Sequence, residues 1–472
     1  MNRIVLIYLI VVIGLWSCVK EEIYTHSDAR IEFSTDTVFF DTVFTNVGST
    51  TAYIKIKNPY NESLILSNVR LGKGSNSQFR INVNGFTGES VRNVEIGPKD
   101  SLFVLIEVTV RPNDVNAPFV VEDSLVCELN GSVQDLKLRA WGQNAHYIDG
   151  RYNGIIQTST WENDKPYLIY NSMMVDSLQT LTIKPGVKIH FHKNSYLIAK
   201  GTLKIQGTFE NPVNITGDRL EEAYKDVPGQ WGNIILADGS GTHQLSWVNI
   251  RNGVIGLQIG STQNGAKPSV VMDHVKIENM NYAGIFAMAS QIEAQNCLID
   301  NCGFYNLALL AGGEYSFKHC TFASYWTSTT RKEPSVLVSN NFTTQEGQFV
   351  GDLSKAYFGN CVIYGTQDQE LLLSNESSVL FNHSFENCLI RTTDNYTQDI
   401  HFSQCIYNTE PKFVDPYEFY FDLDSLSPLI NAGSLIISQN ADIDLLNQSH
   451  STDGTPDLGA YEYIQIIYPT KK

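Results

Sequence analysis

Seven short segments share one frame: an apolar residue, two others, Val or Cys, one more residue, and a second apolar residue. They occupy 245–250, 272–277, 294–299, 317–322, 358–363, 385–390 and 402–407. The first position holds Leu245, Met272, Ala294, Phe317, Phe358, Phe385 and Phe402. The fourth holds Val248, Val275, Cys297, Cys320, Cys361, Cys388 and Cys405, at intervals of 27, 22, 23, 41, 27 and 17 residues. A recurrence of this length decides architecture before any single motif does. About 20 to 27 residues suffice for one three-stranded coil of a parallel β-helix, in which each coil adds a short strand to each stacked sheet. The Leu-x-x-Leu-x-Leu frame of leucine-rich repeats is absent, and a propeller blade needs about 40 residues. The expected body is therefore a parallel β-helix over 147–410.

The frame also accounts for the sulfur. Of eight cysteines, five sit in the repeat column, Cys127 falls in an earlier segment, Cys302 lies beside a turn, and Cys18 is near the start. A buried free thiol behaves as a small hydrophobe, so the column reads as a reduced inward stack whose rungs lie about 4.8 Å apart. The residue before each Val or Cys runs Trp247, His274, Asn296, His319, Asn360, Asn387, Gln404. This row is expected to be an outward polar ladder that solvates one face; the functional alternative is a row of ligand-facing groups.

Between 29 and 146 short strand patterns alternate with turn signals at Asn58-Pro59, Gly72-Lys73-Gly74, Asn84-Gly85 and Gly97-Pro98. Leu102 to Val110 is the strongest strand signal, and no helical period intervenes, which suggests an immunoglobulin-like β-sandwich. The segments 40–44 (Phe-Asp-Thr-Val-Phe) and 142–145 (Gly-Gln-Asn-Ala) resemble such modules ahead of β-helices in Bacteroidetes lipoproteins. Residues 178–191, with Lys184-Pro185-Gly186-Val187, and 196–216 resemble the opening coils of right-handed β-helix proteins. The end, with Pro411-Lys412-Phe413-Val414-Asp415-Pro416, Ser427-Pro428 and Asp457-Leu458-Gly459-Ala460-Tyr461-Glu462, resembles the choice-of-anchor Q lipoproteins, without their usual Arg before the final Asp. The resemblance implies a C-terminal cap over 411–472, expected to close an open end of the helix. The fold class is thus all-β: sandwich, right-handed parallel β-helix, cap.

At the start, Arg3 precedes an apolar run from Ile4 to Leu15 that is too short for a comfortable membrane span of about 20 residues. With Leu15-Trp16-Ser17-Cys18 it resembles an export signal (1–17) ending in a lipobox, with Trp16 where a small residue is usual. That implies lipid attachment at Cys18, a tether over 18–28, and a membrane as partner. Val19-Lys20-Glu21-Glu22 resembles a Bacteroidetes surface-export signal, which points to the outer membrane, facing outward, with a periplasm-facing anchor as the alternative.

A net charge of −17 without a basic stripe excludes nucleic acid as a partner. The pectinase signatures Asn-Thr-Asp and Gly-His-Gly are absent, and no catalytic set is assigned. Lys276 with Asp273 and Asp300 can be written as a lyase-like base and carboxylates, but reads first as surface charge. His243, His274, His319 and His383 show no nucleophile–base pairing. No cofactor or metal site is assigned; Asp442, Asp444, Asp453 and Asp457 are the candidates for calcium, although Asp453-Gly454 reads first as a turn. The long interval after Cys320 should leave the coil as a loop carrying Tyr325, Trp326 and Arg331, aromatic and guanidinium groups suited to sugar and carboxylate. A buried aromatic staple is the alternative there, and Trp161 with Tyr167 forms a weaker second candidate. The expected function is non-catalytic presentation of a β-helix face to polysaccharide or protein. The alternatives are a lyase or glycoside hydrolase acting on acidic glycans, and a structural spacer.

Overall fold

The computed structural model describes residues 22–262, 266–345, 347–439, 441–452 and 454–463. Cys18 and the expected signal and tether up to Glu21 lie outside these residues. Among the described residues no helix is long and apolar enough to cross a membrane. The chain divides into two compact units between Asn144 and Ala145.

The first unit holds two five-stranded sheets. One runs in the order Glu32–Phe33, Ala52–Lys57, Ser101–Val108, Phe79–Val83, Phe86–Gly88. The other runs Thr37–Phe44, Ser132–Gln143, Phe119–Leu129, Leu64–Leu71, Ser90–Ile96. Alternation decides the faces: Leu102, Val104, Ile106 and Val108 are buried, while Phe103 and Leu105 point out. Pairing is antiparallel except between Ser132–Gln143 and Thr37–Phe44.

Among the described residues the second unit holds a long parallel β-helix of twenty-six paired strands. The coils visit three sheets, except that the last has no strand between Leu389–Ile390 and Phe402–Ser403. The motif fixes their phase, because its first position lies in the third sheet and its last in the first sheet. Leu245, Met272, Ala294, Phe317, Phe358, Phe385 and Phe402 are register neighbours on successive rungs. Ile250, Ile277, Ile299, Phe322, Ile363, Ile390 and Tyr407 form the matching column. The phenylalanines stack with ring centroids 5.0, 4.7 and 4.7 Å apart, and Tyr396 closes the stack on Phe402 at 4.1 Å.

A strand alternates its side chains, so residues three apart should face opposite ways. Yet the first and fourth positions of the motif are both interior. The residue between them resolves this: Trp247, His274, Asn296, His319, Asn360, Asn387 and Gln404 all have φ between 49° and 55°. One left-handed residue turns the chain from the third sheet into the first and resets the alternation. Asn adopts that conformation most readily among residues with a Cβ, which explains its recurrence. A second corner is built similarly, with Asn252, Asn279 and Asn301 at φ 63°, 58° and 48° and Asn279 Nδ2 donating to Asn252 Oδ1 at 2.7 Å.

The polar row is a solvated ladder only at its ends: Trp247 and Asn387 are half-buried and Gln404 is exposed, whereas His274, Asn296, His319 and Asn360 are buried. What covers them is the C-terminal segment, and here too the structure corrects the sequence expectation. Instead of plugging an open end, the described residues of 411–463 lie along the outer flank of the first sheet. Phe421, Leu429, Leu445, Leu458 and Ala460 pack on the outward Leu298, Ala323, Val362 and Leu389. Asn360 exchanges bonds with Ser434 at 2.9 and 3.0 Å, and Ala460 N donates to Thr321 Oγ1. His274 Nε2 meets Ile443 O at 3.1 Å.

Asn387 isolates the backbone part of this scheme, since its φ is 49° and its side chain is only half-buried. Asn387→Val is expected to lower unfolding stability by about 1–2 kcal/mol, and Asn387→Gly by much less. Denaturant titration of both variants checks this; equal losses would contradict a left-handed corner.

Candidate functional site

Tyr325, Trp326 and Arg331 follow the strand Thr321–Ser324, but they are occupied inside the protein. Trp326 is buried, with Nε1 donating to Thr329 Oγ1 at 3.0 Å. Arg331 is 4% exposed and pairs bidentately with Glu370, whose side chain is wholly buried. Glu370 also accepts from the backbone N–H groups of Ser335 and Gln367, each at 2.8 Å. Tyr325 packs edge-on against Tyr417 at 5.4 Å, and burial raises its phenol pKa. The three groups form a packed corner rather than an open ligand loop. The excursion from the coil is instead the hairpin Asn341–Thr344 with Gly347–Val350. Its Phe342 lies against an outward apolar patch of the second sheet that includes Phe286, Met288, Ala308 and Leu310. Trp161 and Tyr167, stacked at 4.0 Å, belong to the interior core.

Lys276, Asp273 and Asp300 do not converge. Lys276 lies on the outer face of the first sheet beneath Tyr461 at 5.3 Å, and Asp300 shares that face one rung on, opposite Glu278. Burial, then the nearby Glu278, pushes the Asp300 carboxyl well above the carboxylate range. Asp273 belongs to the third sheet. Burial works to raise its pKa, but bonds from His274, Gln295 and Asn296 hold it below the usual value.

Of the calcium candidates, Asp453 lies outside the described residues and Asp442 is exposed. Asp444 and Asp457 use their oxygens on backbone N–H groups: Leu446, Gln448 and Glu462 for the former, Asn431 and Tyr463 for the latter. That is turn-holding work. His319, His450 and Glu462 come together with potential ligand atoms within 4.8 Å of one another. The two imidazoles, however, stack face to face at 3.8 Å and 25°, so their in-plane lone pairs run side by side instead of meeting at a tetrahedral centre. His450 is held at both ring nitrogens, by Glu462 at 2.5 Å and Asn296 at 2.9 Å. The cluster binds the C-terminal segment to the helix.

With the later rungs of the first sheet, from Lys276 to Leu389, covered by that segment and an apolar patch of the second covered by the hairpin, the third sheet presents its outer face there. Two adjoining cavities of about 250 and 460 Å³ follow it and share Val271, Glu293, Ser316 and Lys355. Register sets their walls. Gln291 and Glu314 are neighbours, as are Glu293 and Ser316, and Gln295 and Lys318. Val271, Gln291, Glu293, Glu314 and Lys355 are exposed. At the far side, Tyr357 donates to Glu386 at 3.1 Å. The face thus offers amides, hydroxyls, carboxylates and ammonium groups in rows, one set per rung. None of these was distinguishable in the sequence from other outward strand positions; the signal was only their alternation with buried residues.

A family model described as a pectate-lyase like beta helix domain matches residues 153–298. No curated protein matches the chain. Among solved structures, a family 123 glycoside hydrolase from Clostridium perfringens, described for glycolipid glycan hydrolysis, is similar at 8% identity and a TM-score of 0.18. That match covers 24% of this chain and spans about a quarter, 26%, of the hydrolase. The PapD-like domain 7 of human CEP192 matches at 12% identity and TM-score 0.16, over 24% of this chain and 84% of that one. The Agl-KA catalytic domain matches at 11% and 0.24, over 72% and 80%. Likenesses this distant carry no argument about activity.

Removing one partner of a buried ion pair strands the other charge. Glu370→Leu and Arg331→Met are each expected to cost about 3–5 kcal/mol, and the double variant to regain much of that loss. Denaturant melts of all three check this; a freely tolerated Arg331→Met would contradict the packed corner.

Proposed function

Taking the pectate-lyase-like β-helix as the premise, we propose that the outer face of its third sheet binds a polysaccharide chain without cleaving it. The binding unit would be carried at the outer membrane by a lipid on Cys18. The observation that carries the reading is the groove itself: two adjoining open cavities, edged by polar and charged side chains, on the flank that the C-terminal segment and the hairpin leave uncovered. In a parallel β-helix equivalent groups recur about every 4.8 Å along the axis. A polymer lying across the strands therefore meets hydrogen-bonding groups at every rung. The amides of Gln291 and Gln295 and the hydroxyl of Ser316 suit sugar hydroxyls, and Lys318 and Lys355 beside Glu293 and Glu314 give the channel both signs of charge. This chemistry favours a hydroxyl-rich chain over an apolar peptide.

A glycan array probed with the protein lacking residues 1–17 tests the reading. Selective retention of polysaccharides is expected, and Gln291→Ala combined with Lys318→Ala should weaken the best ligand about tenfold or more, as loss of roughly 1–2 kcal/mol of hydrogen bonding implies. Unchanged affinity in that variant would overturn the groove. Appearance of new reducing or unsaturated ends during incubation would replace binding by a lyase or hydrolase reading.

A further inference from the structure

The interior column of the motif ends in five thiols. Cys297, Cys320, Cys361 and Cys388 are wholly buried, Cys405 on the last coil is partly exposed, and all are free. The residues that follow them pair in register, Leu298 with Thr321, then Val362, Leu389 and Ile406. The thiols therefore occupy successive rungs. The last two point along the column: Cys388 Sγ donates to Phe358 O on the rung before, and Cys405 Sγ to Phe385 O. Ile406 N donates to Cys388 O at 2.8 Å, which ties the rungs of Cys388 and Cys405 together. The last coil is the least secured, since its paired strands Phe402–Ser403 and Ile406–Tyr407 have two residues each.

We propose that Cys388 and Cys405 are a redox-active pair that closes a disulfide across the last two coils when a small disulfide oxidant is present. Parallel neighbours about 4.8 Å apart fall inside the Cα separation of about 4.4–6.8 Å that disulfides adopt. Every adjacent pair in the column meets that condition, so access selects among them. Cys405 is the one cysteine of the column that is partly exposed. The Cys405 thiolate attacks one sulfur of the oxidant, and the oxidant's other sulfur leaves as a thiolate. Cys388 then loses its proton and attacks the Cys405 sulfur of the mixed disulfide, releasing the oxidant's second thiolate. Two protein thiols become one disulfide, the oxidant's disulfide becomes two thiols, and the two protons end on those thiols. The bond with Cys388, followed by burial, holds the Cys405 proton above the usual range. The reaction is therefore slow at neutral pH and speeds up in alkali.

Native full-length protein is incubated with oxidised glutathione at alkaline pH, alkylated, cut with trypsin and analysed by mass spectrometry. Arg391 lies between the two cysteines, so the bond appears as two linked peptides. The expected result is a reducible Cys388–Cys405 link with Cys297 still open to alkylation after denaturation. Cys388→Ser should instead trap glutathione on Cys405. Cys405 remaining alkylatable in the oxidised native protein, or holding glutathione with Cys388 intact, would overturn the pair. Neither result bears on glycan binding, which is read separately on the third-sheet groove.

Discussion

Where the chain passes from the third sheet to the first, it turns through one residue of positive φ, and the side chain two residues before it and the one just after it both enter the interior. Strand alternation alone would send one of them to solvent. The left-handed corner thus sets the phase of each coil, and repeating it keeps equivalent side chains above one another. From that follow the phenylalanine stack, the thiol column and two interior columns matched in register on all seven rungs of the motif. The cost of a left-handed corner is about 1–2 kcal/mol for a residue with a Cβ, and burial of the stacked interior offsets it coil by coil.

The helix also shows how one flank becomes available while others do not. Leu298, Ala323, Val362 and Leu389 give the first sheet an apolar outer row, which the C-terminal segment covers. Met288, Ala308 and Leu310 give the second sheet another, which the hairpin covers through Phe342. The third sheet alternates Gln291, Glu293 and Gln295 with the buried Ile292 and Ala294. Its outer face carries exposed polar side chains and so hides no apolar row that would need a cover. The open groove is thus a consequence of composition on three faces of one prism.

Much of this was legible in the sequence. The recurrence of Phe317, Phe358, Phe385 and Phe402 at one offset from a cysteine identified both the coil and its interior. The meaning of the residue before each cysteine was not legible, because Asn, His and Gln are equally at home in water and in a left-handed corner. Nor was the destination of the C-terminal segment, since the apolar residues that receive it, such as Leu298 and Leu389, sit beside inward ones and break alternation only by a single position. Arg331 misled for a different reason. An arginine in a turn reads as solvated, and its partner Glu370 is distant in the chain. Pairing of this kind depends on the coil closing first, and no local pattern records it.

The central claim is that equivalent residues of successive coils touch in the interior, and a double-mutant cycle on Phe358 and Phe385, whose rings stack at 4.7 Å and 6°, tests it most directly. Denaturant stabilities of Phe358→Leu, Phe385→Leu and the double variant are expected to differ from additivity by about 0.5–1.5 kcal/mol, as for a stacked aromatic pair. Additivity within about 0.3 kcal/mol would mean that the two rings are not neighbours, and the stacked-coil account would be contradicted.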